Sequence, residues 1–169
     1  MLKIKVALAE LEVAFDNTSW EMSYYLDLET GEVVMVTDEI RRELEDIYAE
    51  IHGEGEAEQV AFDDALQRRD PQEADQVEAS FGTRYVEAPR AESHEGYRDM
   101  EDFIAPLRDE RLQDRLWDAI RGRGAFRRFK DELAYHPYER ERWFEFKDDR
   151  VRKRVLNWLE SEGIEPILE

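Results

Sequence analysis

The sequence of 169 residues contains no cysteine, which excludes disulfide bonds, a thiolate nucleophile and cysteine-ligated zinc. Only three histidines are present, and none lies three or four residues from another, so no helix can present two histidines to a metal ion. Neither a Gly-x-Ser-x-Gly motif nor a phosphate-binding Gly-x-x-x-x-Gly-Lys loop occurs. We therefore expect no zinc site and no bound cofactor.

Long hydrophobic runs are also absent, which excludes a transmembrane helix. Near the start of the chain, Glu10 and Glu12 interrupt the sequence before any apolar stretch as long as that of a secretory signal. No glycine-rich or proline-rich linker divides the chain. We therefore expect a cytoplasmic protein without a membrane contact, folded as a single domain over residues 1–169.

Basic residues are scarce relative to acidic ones. Asp and Glu number 43 against 24 Lys and Arg, for a net charge of −19, and only 5 of the basic residues are lysines. A surface this negative repels nucleic acid and anionic lipid over roughly one Debye length, about 8 Å at physiological salt. We expect neither as a partner. Two explanations of the acidity stay open, namely a halophilic cytoplasm and an ordinary acidic protein from a GC-rich genome.

A hydrophobic content of 41% supplies a core, and its patterning predicts an α+β fold. Alternating residues from Trp20 to Leu28, a turn with Gly31, and a β-branched stretch at 33–36 predict a β-hairpin at 20–37. Residues 83–88 predict a third strand of this small antiparallel sheet. Helical spacing predominates elsewhere, so we predict an acidic, hairpin-containing part at 1–88 and a helical part at 89–169.

Positive charge is concentrated in residues 119–130, which contain no acidic residue. Two glycines in this segment allow backbone amides to face a ligand, and guanidinium groups bind phosphate or carboxylate with paired hydrogen bonds. The alternative interpretation is that the glycines end and begin helices while the arginines pair with nearby acids. The candidate anion- or partner-binding residues are Arg121, Arg123, Arg127, Arg128 and Lys130.

A different interpretation begins with Asp27-Leu28-Glu29 at the end of the first hairpin strand. Carboxylates two residues apart lie on one side of a strand and can hold paired divalent cations. This motif resembles the first motif of the DEDD 3'-5' exonucleases. Asp63 and the pair His94 and Asp99 resemble their second and third motifs in the same order. That resemblance implies a metal-dependent phosphodiesterase, although the helical pattern after Val36 departs from the exonuclease fold.

Aromatic residues in the second half could in principle stack on nucleic-acid bases. Helical spacing instead predicts that they belong to the core. The residues concerned are Phe126, Phe129, Trp143, Phe144, Phe146 and Trp158.

Four blocks together resemble an uncharacterised bacterial protein family, and the resemblance extends over most of the chain, roughly Val6 to Pro166. The blocks are Tyr24–Val34, Arg84–Arg90, Gly96–Ile104 and Gly122–Asp131. The resemblance implies a small bacterial cytoplasmic protein and supplies no activity, substrate or site residue. It weakens the exonuclease interpretation, because the Asp-x-Glu stretch belongs to the hairpin block.

The favoured hypothesis is a non-enzymatic binding or adaptor domain, with no catalytic residue and no metal. Its arginine-rich segment at 119–130 would contact an acidic protein or a phosphorylated small molecule. The alternative is the metal-dependent phosphodiesterase that uses Asp27, Glu29, Asp63, His94 and Asp99. Oligomeric state is left open.

Overall fold

A computed structural model describes residues 1–50 and 69–167. Within these residues it contains five short strands and seven helices, so the predicted α+β class is confirmed. The strands are β1 (Leu2–Lys5), β2 (Met22–Asp27), β3 (Val33–Thr37), β4 (Tyr85–Glu87) and β5 (Ile164–Ile167). The helices are α1 (Leu8–Phe15), α2 (Asp38–Glu50), α3 (Arg69–Ala79), α4 (Ser93–Ile104), α5 (Glu110–Ala119), α6 (Ala125–Leu133) and α7 (Pro137–Ser161).

The predicted hairpin forms the centre of a three-stranded antiparallel sheet with the order β3-β2-β4. Gly31 closes the turn with a positive φ of 77°, as its lack of a side chain allows. Thr37 ends β3, and its hydroxyl accepts the amide of Ile40 at 3.2 Å, which caps α2. The third strand is also confirmed, since β4 pairs with β2.

The buried residues of β2 differ from those that the alternation indicates. Ser23, Tyr25 and Asp27, on the more polar side, are all buried, and Leu26 is buried on the apolar side. Tyr25 packs in a core formed by the sheet, α2 and α3. The polar neighbours are satisfied by arginines, because Arg90 donates to the Ser23 hydroxyl at 2.7 Å and Arg84 donates to the Asp27 carboxylate. Burial of a polar side chain costs little when it is hydrogen-bonded.

A second, two-stranded sheet was not predicted from the sequence. β1 pairs with β5 in parallel, with Leu2 opposite Ile164 and Lys5 opposite Ile167. The turn of the hairpin lies against β1, because the Ala7 amide donates to the Gly31 carbonyl at 2.9 Å. Phe15 packs edge-on against Trp158, with ring centroids 5.6 Å apart. The two ends of the described chain are thus held together by backbone pairing.

The described chain divides into two compact units, one from the described residues of 1–90 and 158–169, and one from 91–157. The second unit contains α4, α5, α6 and most of α7 around an apolar core. Phe103, Phe129 and Trp143 meet in edge-to-face contacts within this core, with Phe129 and Trp143 centroids 4.7 Å apart. The prediction of a single domain over 1–169 stays a prediction.

Two of the core assignments predicted for the helical part are wrong. Phe126 is 44% exposed and Phe144 is 41% exposed, so neither belongs to the core. The Phe144 ring instead stacks with the Arg140 guanidinium, 5.2 Å from its centre.

The net charge is divided unevenly between the two units. Residues 91–157 contain 16 basic and 16 acidic side chains, whereas residues 1–90 and 158–169 together contain 8 basic and 27 acidic ones. The entire excess of negative charge therefore lies in the unit that carries the sheets. No described helix combines the length and apolar character needed to cross a membrane.

Candidate functional site

Residues 119–130, which we call the arginine segment, connect α5 to α6. Gly122 and Gly124 adopt positive φ values of 72° and 77°, which shape the connection. Arg128 in α6 reaches back over this loop. Its guanidinium donates to the carbonyl of Ala119 at 2.9 Å and to the carbonyls of Arg121 and Arg123. Arg128 thereby satisfies carbonyls that the end of α5 leaves unpaired.

The other cations of the arginine segment project into solvent. The Arg121 and Arg127 side chains are 79% and 88% exposed, with Asp118 and Asp131 carboxylates at 3.7 Å and 3.9 Å respectively. Exposed pairs at such distances contribute only about 0 to 1 kcal/mol.

The remaining two cations of the segment form no polar side-chain interaction with any described residue. In the part of the chain that the structure describes, neither the Arg123 nor the Lys130 side chain has an ion pair or a hydrogen bond. The segment therefore presents four cations that are unpaired or weakly paired. The fifth cation, Arg128, holds the backbone of the loop in place.

The carboxylates of the phosphodiesterase hypothesis have other contacts. Asp27 forms a bidentate pair with Arg84, and the same guanidinium lies 3.4 Å from Glu29. The hydrogen bonds from Arg84 lower the pKa of the Asp27 carboxyl below its ordinary value, against the opposing effect of burial. Asp27 Oδ1 also accepts the Glu29 amide at 2.9 Å, so this carboxylate shapes the hairpin turn.

The other residues of that hypothesis are placed as follows. Asp63 lies outside the described residues. His94 is exposed, with Nε2 3.3 Å from the Glu92 carboxylate. Together with Glu95 these two form a group whose potential ligand atoms lie within 4.8 Å of one another. Asp99 is buried at 2% exposure and accepts hydrogen bonds from arginines of α7.

These arginines form a second cationic feature that the sequence analysis missed. Arg150 Nε and Arg154 Nη2 lie 3.1 Å and 2.6 Å from the same Asp99 oxygen. A groove of about 350 Å³ lies beside them, between α4 and α7. The spacing of four residues from Arg150 to Arg154 on one helix was the available signal. It was not recognised because α7 contains many charged residues on all sides.

Comparison with known proteins identifies the family. Residues 60–169 match the sequence profile described as Uncharacterised protein family (UPF0158), a description that states no activity. A relative from Pseudomonas aeruginosa, called UPF0158 protein PA5073, is 24% identical over 166 residues, which cover 98% of this chain and 88% of the relative. No solved structure matches the chain significantly. Since the profile matches well over half of the chain, the chain belongs to the Uncharacterised protein family (UPF0158).

Proposed function

We propose that this chain is a non-enzymatic binding or adaptor domain whose arginine segment docks onto an acidic surface of a partner protein. The observation that carries the proposal is that one cation of the segment holds the loop while the other four are exposed. Arg128 bonds to loop carbonyls, and the side chains of Arg121, Arg123, Arg127 and Lys130 project outward. A preformed loop loses little conformational entropy on binding, which favours its use as a docking element.

The weak internal pairing supports this role. A guanidinium whose N–H groups already bond to a carboxylate has fewer of them left for a partner. Arg121 and Arg127 have only long, exposed pairs, which a partner carboxylate can replace at little cost. Charge also favours the location, because the helical unit is neutral overall while the rest of the chain carries the negative excess. A partner with acidic patches meets least repulsion at the helical unit.

The distribution of the cations favours an extended acidic surface over a small phosphorylated molecule at this place. Arg121 and Arg123 lie on the loop, whereas Arg127 and Lys130 lie three residues apart along α6. Such a row can meet several carboxylates on a protein surface at once. Bidentate guanidinium contacts to those carboxylates would then determine the orientation of the complex.

The phosphodiesterase hypothesis receives no comparable support from the described contacts. Arginine side chains donate to both carboxylate oxygens of Asp27 and to one oxygen of Asp99, and these hydrogen bonds compete with binding of a metal ion. The hypothesis stays a prediction. Manganese-dependent cleavage of labelled single-stranded nucleic acid by the unmodified protein would support it. The absence of cleavage over several substrates would contradict it.

The docking proposal can be tested with a defined acidic polymer and matched double variants. We expect fluorescein-labelled poly-glutamate to bind the unmodified protein at moderate salt, as measured by fluorescence anisotropy. Arg123→Ala with Arg127→Ala should weaken binding about tenfold, which corresponds to about 1.4 kcal/mol. Arg108→Ala with Arg111→Ala removes the same charge from exposed positions of the same unit and should change little. Equal loss in both variants, or no saturable binding, would contradict the proposal.

A further inference from the structure

We propose a second site, independent of the arginine segment: the groove between α4 and α7 binds a small phosphorylated metabolite. The groove has a volume of about 350 Å³, within the range of small-molecule sites. Its cationic lining consists of Arg98 from α4 and Arg150, Lys153 and Arg154 from α7. Lys153 and Arg154 follow Arg150 by three and four positions, so the three residues lie on one face of that helix.

A buried carboxylate holds two of these cations in place. Asp99 is 2% exposed and accepts hydrogen bonds from both Arg150 and Arg154. Arg150 also bonds to Asp102, and its guanidinium lies 5.2 Å from the centre of the Phe146 ring. These contacts restrict both guanidinium groups to one orientation. A ligand that meets preoriented donors does not have to order them on binding.

The other two cations lack internal partners. Among the residues that the structure describes, Arg98 and Lys153 have no ion pair and no side-chain hydrogen bond, and both are exposed. They approach the groove from opposite helices, Arg98 from α4 and Lys153 from α7. Arg150 and Arg154 pair with three carboxylates, those of Asp99, Asp102 and Glu95. Arg98 and Lys153 therefore leave the set of four cations with a net positive charge, which attracts an anion.

The remaining lining residues narrow the class of ligand. Glu95 carries a negative charge, and its carboxylate lies 3.5 Å from Arg154 Nε. His94 and Asn157 add polar groups, and none of the described Phe, Tyr or Trp residues lines the groove. A flat aromatic base would therefore find no aromatic ring to stack on. The chemistry fits a compact phosphate ester or pyrophosphate, bound by guanidinium forks and a lysine.

Titration of the unmodified protein with inorganic pyrophosphate, followed by amide NMR at 150 mM salt, tests the site. We expect saturable shifts at residues 94–98 and 150–157. Arg98→Ala with Lys153→Ala should weaken binding at least tenfold and leave the urea midpoint unchanged, since neither side chain has an internal partner. Inorganic phosphate and glucose 6-phosphate, titrated in parallel, distinguish a preference for pyrophosphate from one for a phosphate ester.

Two matched variants separate this site from the docking proposal. Arg108→Ala with Arg111→Ala should leave pyrophosphate binding intact, as should Arg123→Ala with Arg127→Ala. Shifts confined to residues 121–130, an affinity unaffected by Arg98→Ala with Lys153→Ala, or no saturable shift at all would overturn the groove proposal. None of these results depends on whether the arginine segment binds poly-glutamate, so failure of one proposal is distinguishable from failure of the other.

Discussion

Asp27 and Arg84 form a bidentate ion pair, with Oδ1 3.0 Å from Nε and Oδ2 2.8 Å from Nη2. The pair joins the end of β2 to the residue before β4, and the Leu28 amide donates to the Arg84 carbonyl at 2.8 Å beside it. Asp27 is 4% exposed although its carboxylate is charged. The hydrogen bonds from Arg84 and from the Glu29 amide compensate for the cost of burying the Asp27 charge. The ion pair therefore stabilises the sheet.

The first prediction concerns removal of that charge. Asp27→Asn should lower the free energy of unfolding at pH 7 by about 2 kcal/mol, because a charge-assisted pair is lost in a buried place. Urea denaturation measures this loss. Glu29→Gln is the matched control, since its carboxylate is 68% exposed at 3.4 Å from Arg84, and it should cost less than about 0.5 kcal/mol. Equal effects of the two substitutions would contradict the assignment of Asp27 as the stabilising partner of Arg84.

The pH dependence of stability gives a second test of the same pair. The pKa of Asp27 is lowered in the folded state, chiefly by the Arg84 hydrogen bonds. Its stabilisation is therefore fully present above the ordinary aspartate pKa, about 3.9, and is lost as the pH falls through the lower folded value. Urea midpoints measured from pH 6 to pH 2.5 should fall more steeply for the unmodified protein than for Asp27→Asn. Parallel curves would show that this carboxyl does not contribute.

Of the described glycines in the sheet unit, Gly31 should be the least tolerant of substitution. A side-chain carbon at this position would lie 1.7 Å from the Lys5 carbonyl oxygen, a backbone atom that cannot move aside, and φ is also positive. Gly31→Ala should therefore prevent stable folding or cost more than about 3 kcal/mol. Gly82→Ala is the control, because Gly82 has a φ of +84° but open space around it. It should cost about 1 to 2 kcal/mol from backbone strain alone.

The two phenylalanines of α6 should differ in their contribution to stability. Phe129 is 1% exposed and contacts Phe103 and Trp143, so Phe129→Ala should cost about 3 to 5 kcal/mol through lost packing and a cavity. Phe126 is 44% exposed, and its alanine variant should cost less than about 1.5 kcal/mol. Urea unfolding followed by tryptophan fluorescence measures both. Similar costs would contradict the assignment of Phe126 to the surface.

Alanine substitutions of Arg128 and of its neighbour Arg127 should differ in their effect on the loop. Arg128→Ala removes the donor that binds three loop carbonyls and should speed amide hydrogen exchange at residues 120–124, at a cost of about 1 kcal/mol. Arg127→Ala has only an exposed pair at 3.9 Å to lose and should leave exchange unchanged. Unaltered exchange in Arg128→Ala would show that the loop is held by other contacts.

The hairpin, the third strand and the helical character of the second unit could be predicted from the sequence. These elements depend on short-range properties, namely alternation, helical spacing and a glycine where φ must be positive, which can be assessed within a few residues. The position of the candidate arginine segment also follows from the sequence, because its five basic residues lie within residues 121–130.

Other features follow from contacts between distant residues. The polar residues Ser23 and Asp27 of β2 are buried because Arg90, which lies beyond β4, and Arg84, which precedes it, bind their side chains. The parallel pairing of β1 with β5 joins residues at opposite ends of the chain, and neither strand carries a signal for the other. The groove depends likewise on two helices about fifty residues apart, with Asp99 on one and Arg150 on the other. Such long-range contacts form when whole helices and strands pack together. They depend on residues far apart in the sequence, so no local pattern predicts them.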